Sequence, residues 1–310
     1  MTTLRECLDD YLAVRRSVGY KLEDAARILA SFVAFAERAG AGTITTELAL
    51  SWVTQPKEAS PIWLAHRLSA VRGFAAWLHA LDPATEIPPG GVLAAPGYQP
   101  APPYLYSDAD VAALLAAARR LAPPLRAATF ETLLGLLAVS GLRIGEAMRL
   151  DRADVDWDEG VLVVRSSKFG RSREVVCHDS TIEALRDYSA RRDQLCPRPA
   201  SASFFVSVQG RRLAHHSVYG TFHKLVGDAG LRQRPGGRPP RVHDLRHSFA
   251  VNTLIRWYRD GADVQARLPL LSAYLGHVRP SSTFWYLTAS TELLALAAER
   301  LETDEKEPQR

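Results

Sequence analysis

The sequence predicts a mainly α-helical protein in two domains, the second an α+β domain with a small antiparallel β-hairpin. Three observations predict it. Apolar residues recur at three- and four-residue spacing through most of the chain, as amphipathic helices require. The interval Pro83–Pro103 carries seven prolines and three glycines with almost no periodicity, and divides the helical pattern in two. Residues 161–177 alternate about a glycine-containing turn, so they read as two paired strands. At 310 residues, each block is long enough to bury its own core.

Taken in order, residues 2–20 predict a first helix, with Leu4, Leu8, Tyr11 and Leu12 on one stripe and Gly19 as its stop. A second spans 22–39, with Leu29, Phe32, Val33 and Ala36 inward. A short helix follows at 46–53 behind Thr45 or Thr46, and another at 61–80. These four helices make a domain of residues 1–85, a small bundle. Residues 86–103 form the proline-rich linker. The second domain, 104–301, opens with Ser107 as N-cap and Asp110 three residues on. Helices are expected at 108–121, 126–139, from Ile144 to Leu150, and at 179–193, 215–229, 243–258, 263–276, 279–286 and 291–301. The hairpin lies at 161–177 and a further strand at Phe204–Ser207. Residues 302–310 are charged and expected to be disordered.

Hydrophobic residues at 47% and charged residues at 23% fit a soluble globular chain. The apolar run Thr132–Leu142 is too short to cross a bilayer, and the first residues carry no signal-peptide core. Both point to the cytoplasm. Cys7, Cys177 and Cys196 are widely spaced and odd in number, which excludes a disulfide framework and predicts reduced thiols.

Charge is unevenly distributed. Residues 1–90 carry 9 Lys/Arg against 10 Asp/Glu, residues 91–290 carry 26 against 18, and residues 291–310 carry 3 against 6. The positive excess therefore lies in the middle segment, where it suits a phosphate-bearing partner. The stretch from Arg211 to Arg246 holds eight Lys/Arg and two Asp/Glu, and reads as a basic loop along a phosphate backbone, with Arg211, Arg212 and Arg241 as contacts. Arg165, Arg171 and Arg173 on the hairpin read the same way.

The chemistry-bearing residues concentrate between His243 and Tyr286. His243 and Arg246 are one helical turn apart, and His277 follows the turn glycine Gly276. Arg143, between Gly141 and Gly145, and Lys168, at the hairpin tip, stand upstream. Guanidinium groups present paired planar donors to phosphate oxygens and stay charged. Tyrosine needs a cationic environment and a proton acceptor to act as a nucleophile near neutral pH. Glu146, one turn after Arg143, either orients that guanidinium or forms an ordinary i,i+3 pair. His243 and His247 have the i,i+4 spacing of metal ligands, but the motif lacks the glutamate of HExxH and places Arg246 between them. No metal and no cofactor is expected.

Arg143, Lys168, His243, Arg246, His277 and Tyr286, in this order, resemble the tyrosine recombinase (phage integrase) family, and the resemblance covers nearly the whole chain. It implies an N-terminal core-binding (SAM-like) four-helix domain and a catalytic domain that together clamp double-stranded DNA. Tyr286 would form a 3′-phosphotyrosine, Arg143 and Arg246 would hold the scissile phosphate, His243 and His277 would serve as base and phosphate donors, and Lys168 would protonate the leaving oxygen. It further implies a homo-tetramer, or an assembly with co-encoded recombinases, whose terminal helix docks on a neighbour. The pattern is nearest to mobile-element members. Unlike chromosome-dimer-resolving Xer proteins, the chain has a longer interval between His243 and His277 and no histidine closely following Tyr286. A type IB topoisomerase-like relaxing enzyme and a non-catalytic DNA-binding partner are the alternatives.

Overall fold

The computed structural model describes residues 3–20, 22–56, 58–93, 102–165, 172–277, 281–288 and 290–306. The chain separates into two units, Met1–Pro100 and Ala101–Arg310.

The first unit holds helices α1 (Leu4–Ser17), α2 (Glu23–Arg38), α3 (Thr46–Val53) and α4 (Pro61–His79). Their starts are set by side chains that satisfy the orphan N–H groups of the first turn. Thr3 and Glu6 form a reciprocal capping box, Thr45 accepts from the Leu48 N–H, and Ser60 accepts from the Trp63 N–H with Pro61 at the first helical position. The apolar stripes meet around Phe32, Val33, Trp52 and Phe74, with Phe32 edge-on to Trp52 at 5.3 Å between ring centroids. Arg67 is buried across this core, stacked on the Trp52 ring at 3.8 Å and donating to the Trp52 carbonyl.

The stretch expected to be linker from residue 86 is instead fastened to these helices at its start. The Glu86 N–H donates to the Ile44 carbonyl at 2.8 Å, its carboxylate accepts from the Thr46 N–H at 2.8 Å, and Arg72 Nε donates to the Pro88 carbonyl at 2.6 Å. Proline supplies no N–H of its own but its carbonyl remains a full acceptor, so proline content alone does not free a segment. Residues 94–101 lie outside the described residues.

The second unit runs α5 (Asp108–Arg119), α6 (Pro124–Ser140), α7 (Ile144–Arg149), β1 (Val155–Asp156), β2 (Val161–Val164), β3 (Arg173–Val176), α8 (Asp179–Leu195), α9 (His215–Asp228), α10 (Asp244–Arg259), α11 (Val264–Leu275), α12 (Ser281–Phe284), a 3-10 turn at Trp285–Thr288, and α13 (Thr291–Lys306). Helix α6 buries residues around its whole circumference because it packs against α5, α8 and α10 at once. The three strands pair antiparallel in the order β1-β2-β3, with Val164 opposite Arg173 and Val161 opposite Val176. A second apolar cluster joins Ala250, Val251 and Leu254 of α10 to Leu268, Leu271 and Leu275 of α11, and takes in Tyr286 and Leu293.

Three expectations are corrected. Phe204–Ser207 is no strand: Ser203 and Val206 each make only an isolated bridge, to Asp151 and Arg212, because the chain turns tightly between Ser207 and Arg211. Of the helix expected at 279–286, residues 279 and 280 lie outside the described residues, and the rest is α12 followed at Trp285 by the 3-10 turn. The terminal helix continues five residues past Leu301, through Glu302, Glu305 and Lys306, which propagate helix well, and across Thr303 and Asp304, which do so less well, so only 307–310 fall outside the described residues. Helix α13 packs on α10 of its own chain, with Leu293 buried and Glu292 paired to Arg259.

Candidate active site

The site is built on two helix ends. Helix α11 stops at Gly276, whose φ of 67° is a left-handed conformation that glycine adopts without cost. The His277 N–H returns to the Ser272 carbonyl at 2.9 Å, which closes the helix in a Schellman turn. That turn leaves the last carbonyls without intrahelical donors. Arginines take three in succession: Arg173 Nε donates to Tyr274 O at 2.9 Å, Arg246 Nη2 to Leu275 O at 2.7 Å, and Arg143 Nη2 to Gly276 O at 3.0 Å. The negative end of the α11 dipole favours cations at this place. Helix α6 ends alike at Gly141, with φ of 60°, and its carbonyl accepts from Arg246 Nη1 at 2.7 Å.

Glu146 holds two of these arginines. Its carboxylate accepts from Arg143 Nη1 at 2.8 Å and from the Arg143 N–H at 2.9 Å, and it receives both Arg173 Nη1 and Nη2 at 3.0 and 2.8 Å. Its side chain is only 2% exposed. Burial would raise its pKa, but the hydrogen bonds and charge of Arg173 and Arg143 more than offset that and hold it down at about 2. Of the two readings open for Glu146, the geometry is that of an orienting carboxylate, and it orients Arg173 as well as Arg143.

Arg246 is buried, and burial followed by the Arg143 charge lowers its pKa to about 10. Tyr286 is buried beside it. Burial raises the phenol pKa, while the nearby charges of Arg246 and Arg143 pull the other way. The His277 ring lies nearly parallel to the Tyr286 ring, 6.0 Å between centroids and 21° between planes. The His247 ring stands 5.5 Å from Tyr286, and edge-on to His243 at 4.8 Å. Burial, then the neighbouring arginines, push His277 down to about 4; burial, then His243, does the same to His247. His243 is solvent-exposed by area, yet crowding by protein atoms and the Arg246 charge lower its pKa too. Neutral imidazoles around a phenol, backed by fixed guanidiniums, can bind a phosphodiester and exchange a proton with its attacking oxygen.

Arg143, His243, Arg246, His277 and Tyr286 thus all fall in one neighbourhood. Lys168 and Arg171 lie outside the described residues. Among the arginines expected on DNA, Arg165 is exposed and paired with Asp154, and Arg211 is exposed. Arg212 bonds the Met148 carbonyl and Asp151, and Arg241 pairs with the buried Asp244 at 2.7 Å. Arg173 differs from the expectation. It points inward onto Glu146 and Tyr274 with its side chain 12% exposed. Strand parity carries the signal for this: Arg173 shares a face with Val175, which is fully buried. His247 was read in the sequence only as a possible metal ligand, and Thr283, considered below, was not singled out. Among the described residues no group of three or more His, Cys, Asp or Glu side chains gathers in a metal-binding arrangement.

The profile of the Phage integrase family matches residues 105–292, more than half of the chain. The chain belongs to the phage integrase family. A protein of Sinorhizobium fredii named as an integrase/recombinase, y4rB, is 46% identical over 97% of this chain and 98% of its own length. The tyrosine recombinase XerA of Thermococcus onnurineus is 30% identical over 53% of this chain and 52% of its own. Among solved structures, the Tn1549 transposon integrase in complex with transposon right end DNA superposes with a TM-score of 0.67 at 16% identity, covering 97% of this chain and 99% of that one. A lambda integrase tetramer bound to a Holliday junction gives 0.63 at 18% identity, covering 92% and 77%. These two likenesses establish the shared fold. This integrase-family chain is a tyrosine recombinase, an enzyme of site-specific DNA cleavage and rejoining. None of its described helices is long and apolar enough to cross a membrane.

Proposed function

We propose that Tyr286 is the nucleophile of a strand exchange that passes through a 3′-phosphotyrosine, and that Arg143 and Arg246 hold the scissile phosphate. The observation that carries this reading is the packing of the buried Tyr286 ring against the His247 and His277 rings, 5.5 and 6.0 Å between centroids, near Arg246, whose guanidinium is itself fixed by the carbonyls of Gly141 and Leu275. A guanidinium offers five N–H donors, and two carbonyl bonds leave others free to receive phosphate oxygens. As the phenol oxygen attacks phosphorus, charge grows on the equatorial oxygens, where fixed cations act most strongly. His277 donates to the phosphate, and His243 either donates to it as well or accepts the proton that the attacking phenol loses. Lys168 protonates the departing 5′-oxygen, an assignment that rests on the family resemblance. The covalent ester stores the bond energy, so the hydroxyl of a partner duplex can reverse the step without a nucleotide cofactor.

The substrate is double-stranded DNA at the ends of a mobile element, held by a tetramer of this chain or by an assembly with co-encoded recombinases. The full-length similarity to y4rB and the fold shared with a transposon integrase support that choice. The exposed Arg165, Arg211 and Arg241 supply backbone contacts. The test is an exchange assay on two duplexes carrying the sequences that flank the gene. Recombinant products joining one duplex to the other are expected. Relaxation of supercoiled circles without any joined product would instead indicate a topoisomerase-like enzyme.

A further inference from the structure

We propose that Thr283 is a positioning residue for His277: its hydroxyl donates to Nδ1 and thereby leaves Nε2–H as a hydrogen-bond donor in the site. This rests on the reading above, in which His277 belongs to the phosphate-binding group.

The hydroxyl of Thr283 lies 2.7 Å from His277 Nδ1, a short and well-formed contact. Thr283 is 1% exposed, in the single turn of α12, three residues before Tyr286. One turn of helix therefore presents the hydroxyl and the phenol to the same neighbourhood. The His277 ring is bonded to the hydroxyl and lies nearly parallel to the phenol ring, 6.0 Å between centroids.

A neutral imidazole has one N–H and one lone pair, and the partner of one nitrogen decides the role of the other. Burial, reinforced by the charges of Arg246, Arg143 and Arg173, keeps His277 neutral at pH 7. Its tautomer is therefore the remaining variable. The Thr283 hydroxyl can give or take the proton of this bond, and the role of the other ring nitrogen decides between the two. A ring that binds phosphate must turn its N–H to the anion, which assigns the hydroxyl proton to the His277 bond. Nδ1 accepts, and the ring's own proton resides on Nε2, facing a site of fixed cations that awaits an anion. The opposite tautomer would turn a lone pair toward the phosphate and repel it.

The direct test is the 15N NMR spectrum of the full-length protein labelled at histidine, near pH 7, with His277 assigned from the spectrum of His277→Gln. A protonated Nε2 and an unprotonated Nδ1 are expected; a protonated Nδ1 would overturn the proposal. A second arm measures single-turnover cleavage of a nicked suicide duplex by Thr283→Val and Thr283→Ser. Thr283→Val keeps the shape but removes the donor, so cleavage should fall roughly 10- to 100-fold, as loss of an orienting partner does elsewhere. DNA affinity should be retained, and Thr283→Ser should restore cleavage toward wild type. Equal cleavage by Thr283→Val and wild type, or equal loss in both variants, would also overturn it. The spectrum is read without turnover, so it separates failure of this proposal from failure of the Tyr286 assignment.

Discussion

Arg246 Nη2 donates to the carbonyl of Leu275 at 2.7 Å, across 29 residues of sequence. His277 stands two residues beyond that carbonyl. The guanidinium assigned to the phosphate thus also pins the peptide from which His277 projects, and its other arm pins Gly141 two residues before Arg143. One side chain sets the spacing of the remaining groups. Lysine keeps the charge but has a single nitrogen and cannot span two carbonyls. Arg246→Lys should therefore lower cleavage of a suicide duplex by about 100-fold or more, the scale of losing a fixed transition-state donor. Binding of the same duplex, measured by gel shift, should change far less.

Glu146 makes folding sensitive to acid. Its pKa stands at about 2 in the folded chain against 4.5 for a free glutamate. Between those values the unfolded chain holds the extra proton. The Glu146 contribution is therefore complete above about pH 4.5 and is lost as pH falls toward 2. The shift corresponds to roughly 3 kcal/mol. Urea titrations of the wild type and Glu146→Gln should differ by about that much at neutral pH, since removing the carboxylate strands two inward-facing arginines. The difference should shrink at the acid end.

The histidines act in a higher window. His247 and His277 are held at about 4, against an ordinary 6.5. The unfolded rings charge first, so stability is complete above pH 6.5 and declines as pH falls from 6.5 to 4. NMR titration of the free protein should show both rings neutral at pH 7.

Two glycines separate backbone strain from crowding. Gly40 and Gly141 share a left-handed φ, 68° and 60°. A Cβ on Gly40 meets nothing within 4 Å, whereas one on Gly141 would lie 2.4 Å from Phe249 Cδ1. Gly40→Ala should cost about 1–2 kcal/mol from conformation alone. Gly141→Ala should cost a further ~1–3 kcal/mol of overpacking and displace the carbonyl that holds Arg246. Thermal melts of the two variants check the order.

Much of this was legible in the sequence, for identifiable reasons. Leu4, Leu8 and Leu12, or Phe32 and Ala36, announce helices because their spacing matches the helical turn. Gly141 and Gly276 mark helix ends for the same backbone reason that makes them useful here. The part that stayed hidden depends on contacts across long separations. Arg173 sits among other basic residues, and local charge gives no sign that it folds back on Glu146. Thr283 looks like any helix-start threonine until His277 arrives beside it. Pro88 reads as linker because a carbonyl bonded to Arg72 leaves no trace in composition.

The most direct test of the central claim is to trap the protein on a nicked suicide duplex, digest the covalent complex, and locate the attached nucleotide by mass spectrometry. The account predicts a 3′-phosphate ester on the Tyr286 peptide, and a Tyr286→Phe variant that still binds DNA without forming the complex. Attachment to any other residue, or an undiminished covalent band in Tyr286→Phe, would contradict it.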